Sequence, residues 1–327
     1  MTEPKNQPFV VVRDNGPMPE RMRKAVVAIG NFDGVHLGHR AVIAKAIAGA
    51  RAKGRPAGVL TFEPHPRSFF HPHEPSFRLS SENNKLRLLA ACGLDGAIVL
   101  TFDAALARLT AEEFISRILV ERLAIAGAVT GFNFQFGKER KGTAEYLIAQ
   151  GERHGFMADV VPPFEHAGQQ ISSGAIRAAL EGGRVAEAAD LLGYPWFVTG
   201  EVVRGDRRGR ELGYPTANIR LAPECGLQHG IYAVRVGIGD KRYDGVASFG
   251  RRPMFDSGVV LLEVYLFDFS GDLYGAALDV AFIAWIRPEM TFDTIDELIH
   301  RMDEDSRHAR VALMRAPDAF PALGRVA

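Results

Sequence analysis

Two histidines three residues apart, His36 and His39, close the stretch VVAIGNFDGVHLGH behind a glycine-bearing loop. Imidazole N–H groups there suit contact with phosphate oxygens, although the spacing also permits a metal site or a plain loop cap. Far downstream, GEVVRGDRRGRELGYPTANI gathers four arginines among glycines and, near its end, the polar pair Thr216 and Asn218. Glu263, in VVLLEVYLFDF, is a carboxylate with apolar neighbours on both sides. Facing inward and unpaired it would be expensive without a task, whereas facing outward it would be an ordinary strand residue.

The elements around the histidines decide between these readings. Val26–Ile29 is an apolar run that reads as a buried parallel strand, stopping at Gly30. A short loop, residues 31–37, follows, and Gly38 and His39 open the alanine-rich segment RAVIAKAIAGARAK, which favours helix. Strand, loop and helix in that order direct backbone N–H groups and the positive helix end toward one point, where a phosphate is the preferred guest. The stretch is neither a Walker A loop nor a G-x-G-x-x-G turn. The nearest Walker-like segment, GFNFQFGKE, has one residue too many between its glycines and a Glu in place of Ser or Thr. H-x-G-H beside the first turn of a Rossmann-like helix resembles the nucleotidyltransferase superfamily, whose histidines contact the phosphates of ATP or CTP.

The first half continues in strand–helix alternation. PAGVLTF, GAIVLTF, AGAVTGF and MADVVP read as four further strands, five in all. Helices are predicted from the Ser80–Ser81 cap to Ala91, from the capping box of Thr110 and Glu113 to Leu123, and from Thr143 to about His154. Such repeats predict a parallel sheet covered by helices, with ligands beyond the strands' C-terminal ends. The unusual polar clusters sit there: TFEPHP after the second strand, GFNFQFGKERKG after the fourth, and ISSGAIR opening a later helix.

With GNFDGVHLGH, these clusters resemble the FMN adenylyltransferase half of the bifunctional FAD synthetase family (riboflavin kinase/FMN adenylyltransferase). The resemblance implies ATP contacts from Gly30, Phe32, Asp33, Gly34, His36, His39, Ser172, Ser173 and Arg177, with the two histidines catalytic. It also implies a flavin side formed by Phe62, Pro64, His65, Asn133 and Arg140. Gly174 stands where the family often has Thr, removing one hydroxyl. On residue type alone, Phe132, Phe134 and Phe136 read as packing, KERK reads equally as a solvated loop or a phosphate contact, and His65, His71 and His73 lack the partners of a metal site.

After RVAEAADLLGYP, a short helix ending at Gly193, the helical period disappears. WFVTGEVV, GIYAVRVGI, KRYDGVASFG, VVLLEVYLFDF and ALDVAFIAWI are strands separated by glycine turns, Gly239-Asp240 among them, and predict a small β-barrel. A last helix runs from the capping box of Thr294 and Glu297 to about Met314. The predicted architecture is therefore an α/β Rossmann-like nucleotidyltransferase domain, residues 1–185, then a six-stranded-type β-barrel domain with a C-terminal helix, residues 186–327. Four arginines among glycines in residues 204–210 do not by charge alone distinguish RNA binding, anion binding or solvation. LGYPTAN resembles the riboflavin kinase signature, which implies Mg-ATP held by Thr216 and Asn218 as metal ligands, with Gly205, Gly209 and Arg210 on the nucleotide. It further implies Glu263 as the base at the riboflavin 5′-hydroxyl and Arg287 and Phe292 near the flavin. Ser248 and Met254 stand where the family commonly has Asn and Thr.

At 327 residues the chain suits two domains, each with its own core. Lys plus Arg equals Asp plus Glu, 39 each, so no global field favours nucleic acid or a membrane surface. Cys92 and Cys225 form neither a C-x-x-C nor a disulfide framework, which with the absence of an apolar leader predicts a reducing cytoplasm. The resemblance implies a mostly monomeric enzyme with at most weak self-association, acting on riboflavin, FMN, FAD and ATP. Two rival readings are a nucleotidyltransferase for another substrate with an inert barrel, and a flavin-binding regulator without turnover.

Overall fold

The computed structural model describes residues 8–14, 16–74, 76–166, 168–204, 213–251 and 260–326. The chain divides into two compact units: Met1–Ser76, Ser80–Ser172 and Ala322–Ala327 in the first, Phe77–Leu79 and Ser173–Pro321 in the second. Among the described residues no helix is long and apolar enough to cross a membrane.

The first unit runs β1 (Val10–Arg13), β2 (Val26–Ile29), α1 (Leu37–Ala52), β3 (Ala57–Glu63), α2 (Pro66–Phe70), α3 (Glu82–Ala90), β4 (Gly96–Thr101), α4 (Ala104–Arg108) and α5 (Ala111–Glu113). α5 continues directly as a π-helical stretch, Phe114–Arg122. Then come β5 (Gly127–Gly131), α6 (Ala144–His154), β6 (Met157–Val161) and a small hairpin, β7 (Glu165–His166) and β8 (Gln169–Gln170). The sheet order is β1-β4-β3-β2-β5-β6, with every neighbouring pair parallel. The winding reverses between β2 and β5, so the C-terminal end of β2 borders the crevice where open α/β sheets take their ligands. β2 is buried along its length, and Val27, Ile29, Leu60, Ile98, Phe114 and Leu119 pack into one core.

Six parallel strands replace the five predicted. The extra one, β1, is a four-residue edge strand whose VVVR run is too short to carry a period. α2 was also missed, because its proline- and histidine-rich surroundings read as loop. The caps fare better: Ser81 accepts from Asn84 N–H, Thr143 from Tyr146 N–H, and the Thr110–Glu113 box is complete.

The second unit opens with α7 (Ser173–Glu181) and α8 (Val185–Leu192), the latter ended by Gly193 at φ +78°. β9 (Phe197–Val203), β10 (Thr216–Leu221), β11 (Gly230–Ile238), β12 (Lys241–Arg251), β13 (Val260–Leu266) and β14 (Ala277–Arg287) follow, then α9 (Ile295–Met314). The six strands close into an antiparallel barrel in the order β10-β13-β12-β11-β14-β9. Ile238 pairs with Lys241, so Gly239-Asp240 is the two-residue turn anticipated, with Gly239 at φ +56°. The barrel interior takes Leu262, Val264, Ala247, Phe249, Tyr232 and Phe282, all buried. α9 covers part of the outer face, setting Ala309 and Leu313 against Ala233, Val246 and Phe267. Its cap is half the predicted box: Thr294 accepts from Glu297 N–H, but the Glu297 carboxylate reaches Asp293 N–H instead.

Candidate active sites

In the first unit, the loop between β2 and α1 is folded tightly onto its own side chains. Phe32, Gly34 and Val35 take positive φ (+50°, +81° and +38°), a conformation that strains the two non-glycine residues by about 1–3 kcal/mol each. Buried polar bonds hold it there. Asp33 Oδ1 accepts from the Ser80 amide at 3.1 Å and faces its hydroxyl at 3.3 Å, while Ser80 Oγ accepts from Gly34 N–H at 3.0 Å. A side chain at Gly30 would press the Phe32 ring at 3.3 Å, and one at Gly38 the His36 imidazole at 3.2 Å.

His36 is the N-cap of α1, its Nδ1 accepting from His39 N–H at 3.2 Å. That bond fixes the tautomer: the neutral ring carries its proton on Nε2, which is left as a donor. The His36 and His39 rings stack with centroids 3.6 Å apart, and Phe32 meets His39 edge-on at 5.3 Å. Burial drives the pKa of His36 from 6.5 down to about 4, against the pull of the Asp33 carboxylate. Burial also holds His39 well below its ordinary value, with His36 and the Lys85 ammonium adding to the effect. Both histidines are therefore neutral at pH 7. His39 Nδ1 is shut off from solvent and has no hydrogen-bond partner among the described residues.

The other predicted residues of this site are spread over the same sheet end. Phe62, at the end of β3, is buried between Phe102 and Phe114 at 6.0 and 6.4 Å, as a packing residue. Pro64 is exposed, and His65 caps α2, its Nδ1 accepting from Arg67 N–H at 3.1 Å. Asn133 and Arg140 are both exposed in the segment after β5. That segment is pinned by reciprocal Phe136–Gly142 backbone bonds of 3.0 and 2.9 Å. Of the three phenylalanines read as packing, Phe136 is buried against Phe114 and Tyr146, whereas Phe132 is 41% exposed. The Ile171 carbonyl comes within 3.9 Å of a side chain built at Gly38, bringing the start of ISSGAIR to the histidine loop, with Ser172 exposed beside it. Ser173 and Arg177 lie in α7, which belongs to the second unit, and Arg177 Nε donates to the Phe77 carbonyl at 2.6 Å.

Sequence reasoning missed Lys85 and the true task of Ser80. Ser81, not Ser80, caps α3. Lys85 is 1% exposed, with its ammonium at the end of β3. The signal was present: Lys85 falls on the Leu88–Leu89 face of α3, where a cation is out of place.

In the second unit the register sets the geometry. Asn218 on β10 stands opposite Glu263 on β13, and Glu263 opposite Ser248 on β12. Residues so paired share a face, with Cβ atoms about 5 Å apart. The rung continues through Ile231 on β11 to Arg287 on β14. Of the two settings the sequence left open for Glu263, the structure has the outward one. Leu262 and Val264 fill the interior, and Glu263 is half-buried on the outer face, which it shares with Tyr265. A strand's period of two reconciles the apolar flanks with an outward carboxylate.

Thr216 lies two residues before Asn218 and so on the same face. Asn218 Nδ2 donates to the Thr216 carbonyl at 3.3 Å, but Oδ1 is buried with no partner among the described residues. Arg287 is buried, and its guanidinium is fully engaged: Nε and Nη2 reach the Asp305 carboxylate at 2.8 and 2.5 Å, and Nη1 the Pro288 carbonyl at 2.9 Å. It holds α9 to β14, with Phe292 5.9 Å away. Tyr214, just before the P-T-A-N segment, meets the Tyr265 ring at a tilt, centroids 4.8 Å apart, and donates its hydroxyl to Asp303 of α9; burial and that acidic neighbour push its pKa up to about 12. Within the charge-rich DEDSR run nothing marked Asp303 or Asp305 as the residues that would bond. Gly205, Gly209, Arg210 and Met254 lie outside the described residues.

The family model described as FAD synthetase matches residues 18–175, and that of riboflavin kinase residues 192–313. The protein named bifunctional riboflavin kinase/FMN adenylyltransferase in Escherichia coli K12 is 40% identical over 286 residues, 87% of this chain and 91% of that one. Its namesake in Bacillus subtilis 168 is 35% identical over 295 residues, 89% and 93% of the two chains. A solved structure titled a macrolide-efflux protein, from Streptococcus pneumoniae, is similar at a TM-score of 0.82 and 32% identity, covering 92% of this chain and 99% of that one. That likeness carries the fold, and the activity in its title is that protein's own.

Proposed function

The chain belongs to the bifunctional riboflavin kinase/FMN adenylyltransferase family, and on that premise we propose which residues carry its two reactions. It phosphorylates riboflavin to FMN with ATP, and adenylylates FMN to FAD with release of pyrophosphate. We assign adenylyl transfer to residues 1–185 and phosphorylation to residues 186–327.

In adenylyl transfer the FMN phosphate, ionised at pH 7, attacks the α-phosphate of ATP, so no base is required. His36 Nε2–H, His39 and the N-terminus of α1 stabilise charge on the α-phosphate and the leaving pyrophosphate. Ser172 joins them on the nucleotide by family resemblance. Asp33 acts indirectly, its carboxylate bracing the loop on Ser80. Pro64, His65, Asn133 and Arg140 take the flavin side, with Phe62 as wall.

In phosphorylation Glu263 accepts the proton of the riboflavin 5′-hydroxyl as its oxygen attacks the γ-phosphate. The residues present suit Mg²⁺: the orphaned Asn218 Oδ1 and the Thr216 hydroxyl are hard oxygen donors on one face. The cation supplies neutralisation of the transferring phosphoryl group. Gly205, Gly209 and Arg210 flank the nucleotide by resemblance. Phe292 lies along the flavin, and Arg287 fixes that edge through Asp305. One observation carries each half: the His36 cap, which leaves an Nε2 donor, and the register that sets Asn218, Glu263 and Ser248 side by side.

Balanced charge supports small-molecule partners over nucleic acid, and two unpaired cysteines support a reducing cytoplasm. We take the enzyme as mostly monomeric by resemblance. The test is product chromatography on two reactions with ATP and MgCl₂, one given riboflavin and one FMN. FAD from both is expected. Bound flavin without turnover in either would overturn the reading.

A further inference from the structure

Lys85 is the one lysine among the largest fully buried side chains of the described residues. Its stem lies within α3, and its ammonium emerges where two segments meet. Nζ is 2.6 Å from Glu63 Oε1, 3.2 Å from Thr61 Oγ1 and 3.5 Å from the Phe62 carbonyl, all at the end of β3. It is also 3.4 Å from the Asn31 carbonyl, in the loop between β2 and α1, and Thr61 Oγ1 itself donates to that carbonyl at 3.2 Å. Asn31 directly precedes Phe32, whose ring packs on His39. Glu63 directly precedes Pro64 and His65. One buried cation thus joins the nucleotide loop to the turn assigned to the flavin.

We infer that Lys85 is a positioning residue for adenylyl transfer, holding the histidine loop against the β3 end so that the ATP and FMN sides of the site keep a fixed separation. The inference rests on the assignment of adenylyl transfer to this unit. An apolar residue of similar length would fill the space without burying an ammonium, and replacing buried ion pairs by apolar groups is often neutral or stabilising. A pair retained here is therefore explained by what it aligns. A hydrogen-bonded charge pair is directional, whereas a methyl group against a carbonyl is not. The lysine has a second, electrostatic effect. With His36 stacked on His39 and Asp33 beside His36 on the loop, and Glu63 across the lysine on β3, the Lys85 ammonium opposes protonation of His39.

The test compares the full-length chain with Lys85→Met and with the charge-free pair Lys85→Met/Glu63→Gln, measuring FAD formed from FMN and FMN formed from riboflavin on the same preparations. Misplacing reacting groups by about an ångström lowers turnover about 10²-fold. We expect kcat for FAD formation to fall by about that factor in both variants, with KM for ATP and FMN changed less than about threefold. The acid limb of the FAD-forming pH profile should move to higher pH, most in Lys85→Met, where Glu63 stays charged. Riboflavin phosphorylation in the same chains should remain near wild type. Retention of FAD-forming kcat in the double variant would overturn the inference. So would equal losses in both reactions, or a loss confined to KM. Failure of the wild-type chain to make FAD from FMN would instead overturn the functional assignment. Where Lys85→Met does not fold, the double variant carries the test, because it leaves no unpaired buried charge.

Discussion

At the histidine loop, the proposed site of adenylyl transfer, the available groups donate: a neutral imidazole with its proton fixed on Nε2, and the opening turn of α1. On the barrel's outer face the gathered groups accept: the Glu263 carboxylate, the orphaned Asn218 Oδ1 and the hydroxyls of Thr216 and Ser248. Both reactions consume ATP, so the nucleotide cannot explain the contrast between the two proposed sites. The attacking group can. A phosphate arrives ionised and needs only stabilisation of the charge it transfers, whereas a hydroxyl must lose a proton at a waiting acceptor. On the proposed assignment one chain contains a site with a base and a site without one, set by the ionisation of two nucleophiles.

The sharpest way to break this comparison is Glu263→Gln, which keeps shape and removes the proton acceptor. We expect FMN formation from riboflavin to drop about 10³-fold while FAD formation from FMN persists. Equal loss of both would mean that the carboxylate supports the fold rather than the chemistry. On the donor side, His36→Ala removes both the cap and the Nε2 donor, and FAD formation should fall about 10²-fold with phosphorylation retained. His36→Asn, able to cap but shorter, should recover stability more than rate.

A smaller effect sharpens the contrast through stability. The His36 pKa is lowered in the folded chain, to about 4 against 6.5 unfolded, so below pH 6.5 the unfolded chain binds the extra proton. Stability is complete above pH 6.5 and is lost as pH falls toward 4, by about 2 kcal/mol at pH 5. Urea unfolding at pH 7.5 and pH 5 should show that loss in wild type and a reduced loss in His36→Gln.

Much of both sites was legible because motif and element coincide. The β2–loop–α1 unit, the Thr110 box and the Gly239-Asp240 turn follow from local rules of burial, capping and turn chemistry. What escaped was long-range or short. β1 is four residues at an edge, without periodicity. The outward setting of Glu263 depends on which face of β13 is internal, and apolar residues on both flanks leave that open. Lys85, Ser80 and Asp305 act through partners 18 to 54 residues away, and no local pattern encodes those contacts. β10 was read for its chemistry, as P-T-A-N, and not as the sixth strand, because proline and glycine before it look like a loop.

The segment Ala322–Ala327 belongs to the first unit, although the second lies before it in sequence. Gly324 donates to the Arg87 carbonyl at 2.9 Å, and Val326 forms a parallel bridge with Phe9. The first unit is therefore discontinuous along the chain. A single cut between residues 185 and 186 would release a first fragment stripped of these ties, and a second trailing residues whose bonds are to the first. A first half made alone would lack both ties unless residues 322–326 were carried with it. In linear order the long segment of the second unit, Ser173–Pro321, is enclosed by residues of the first.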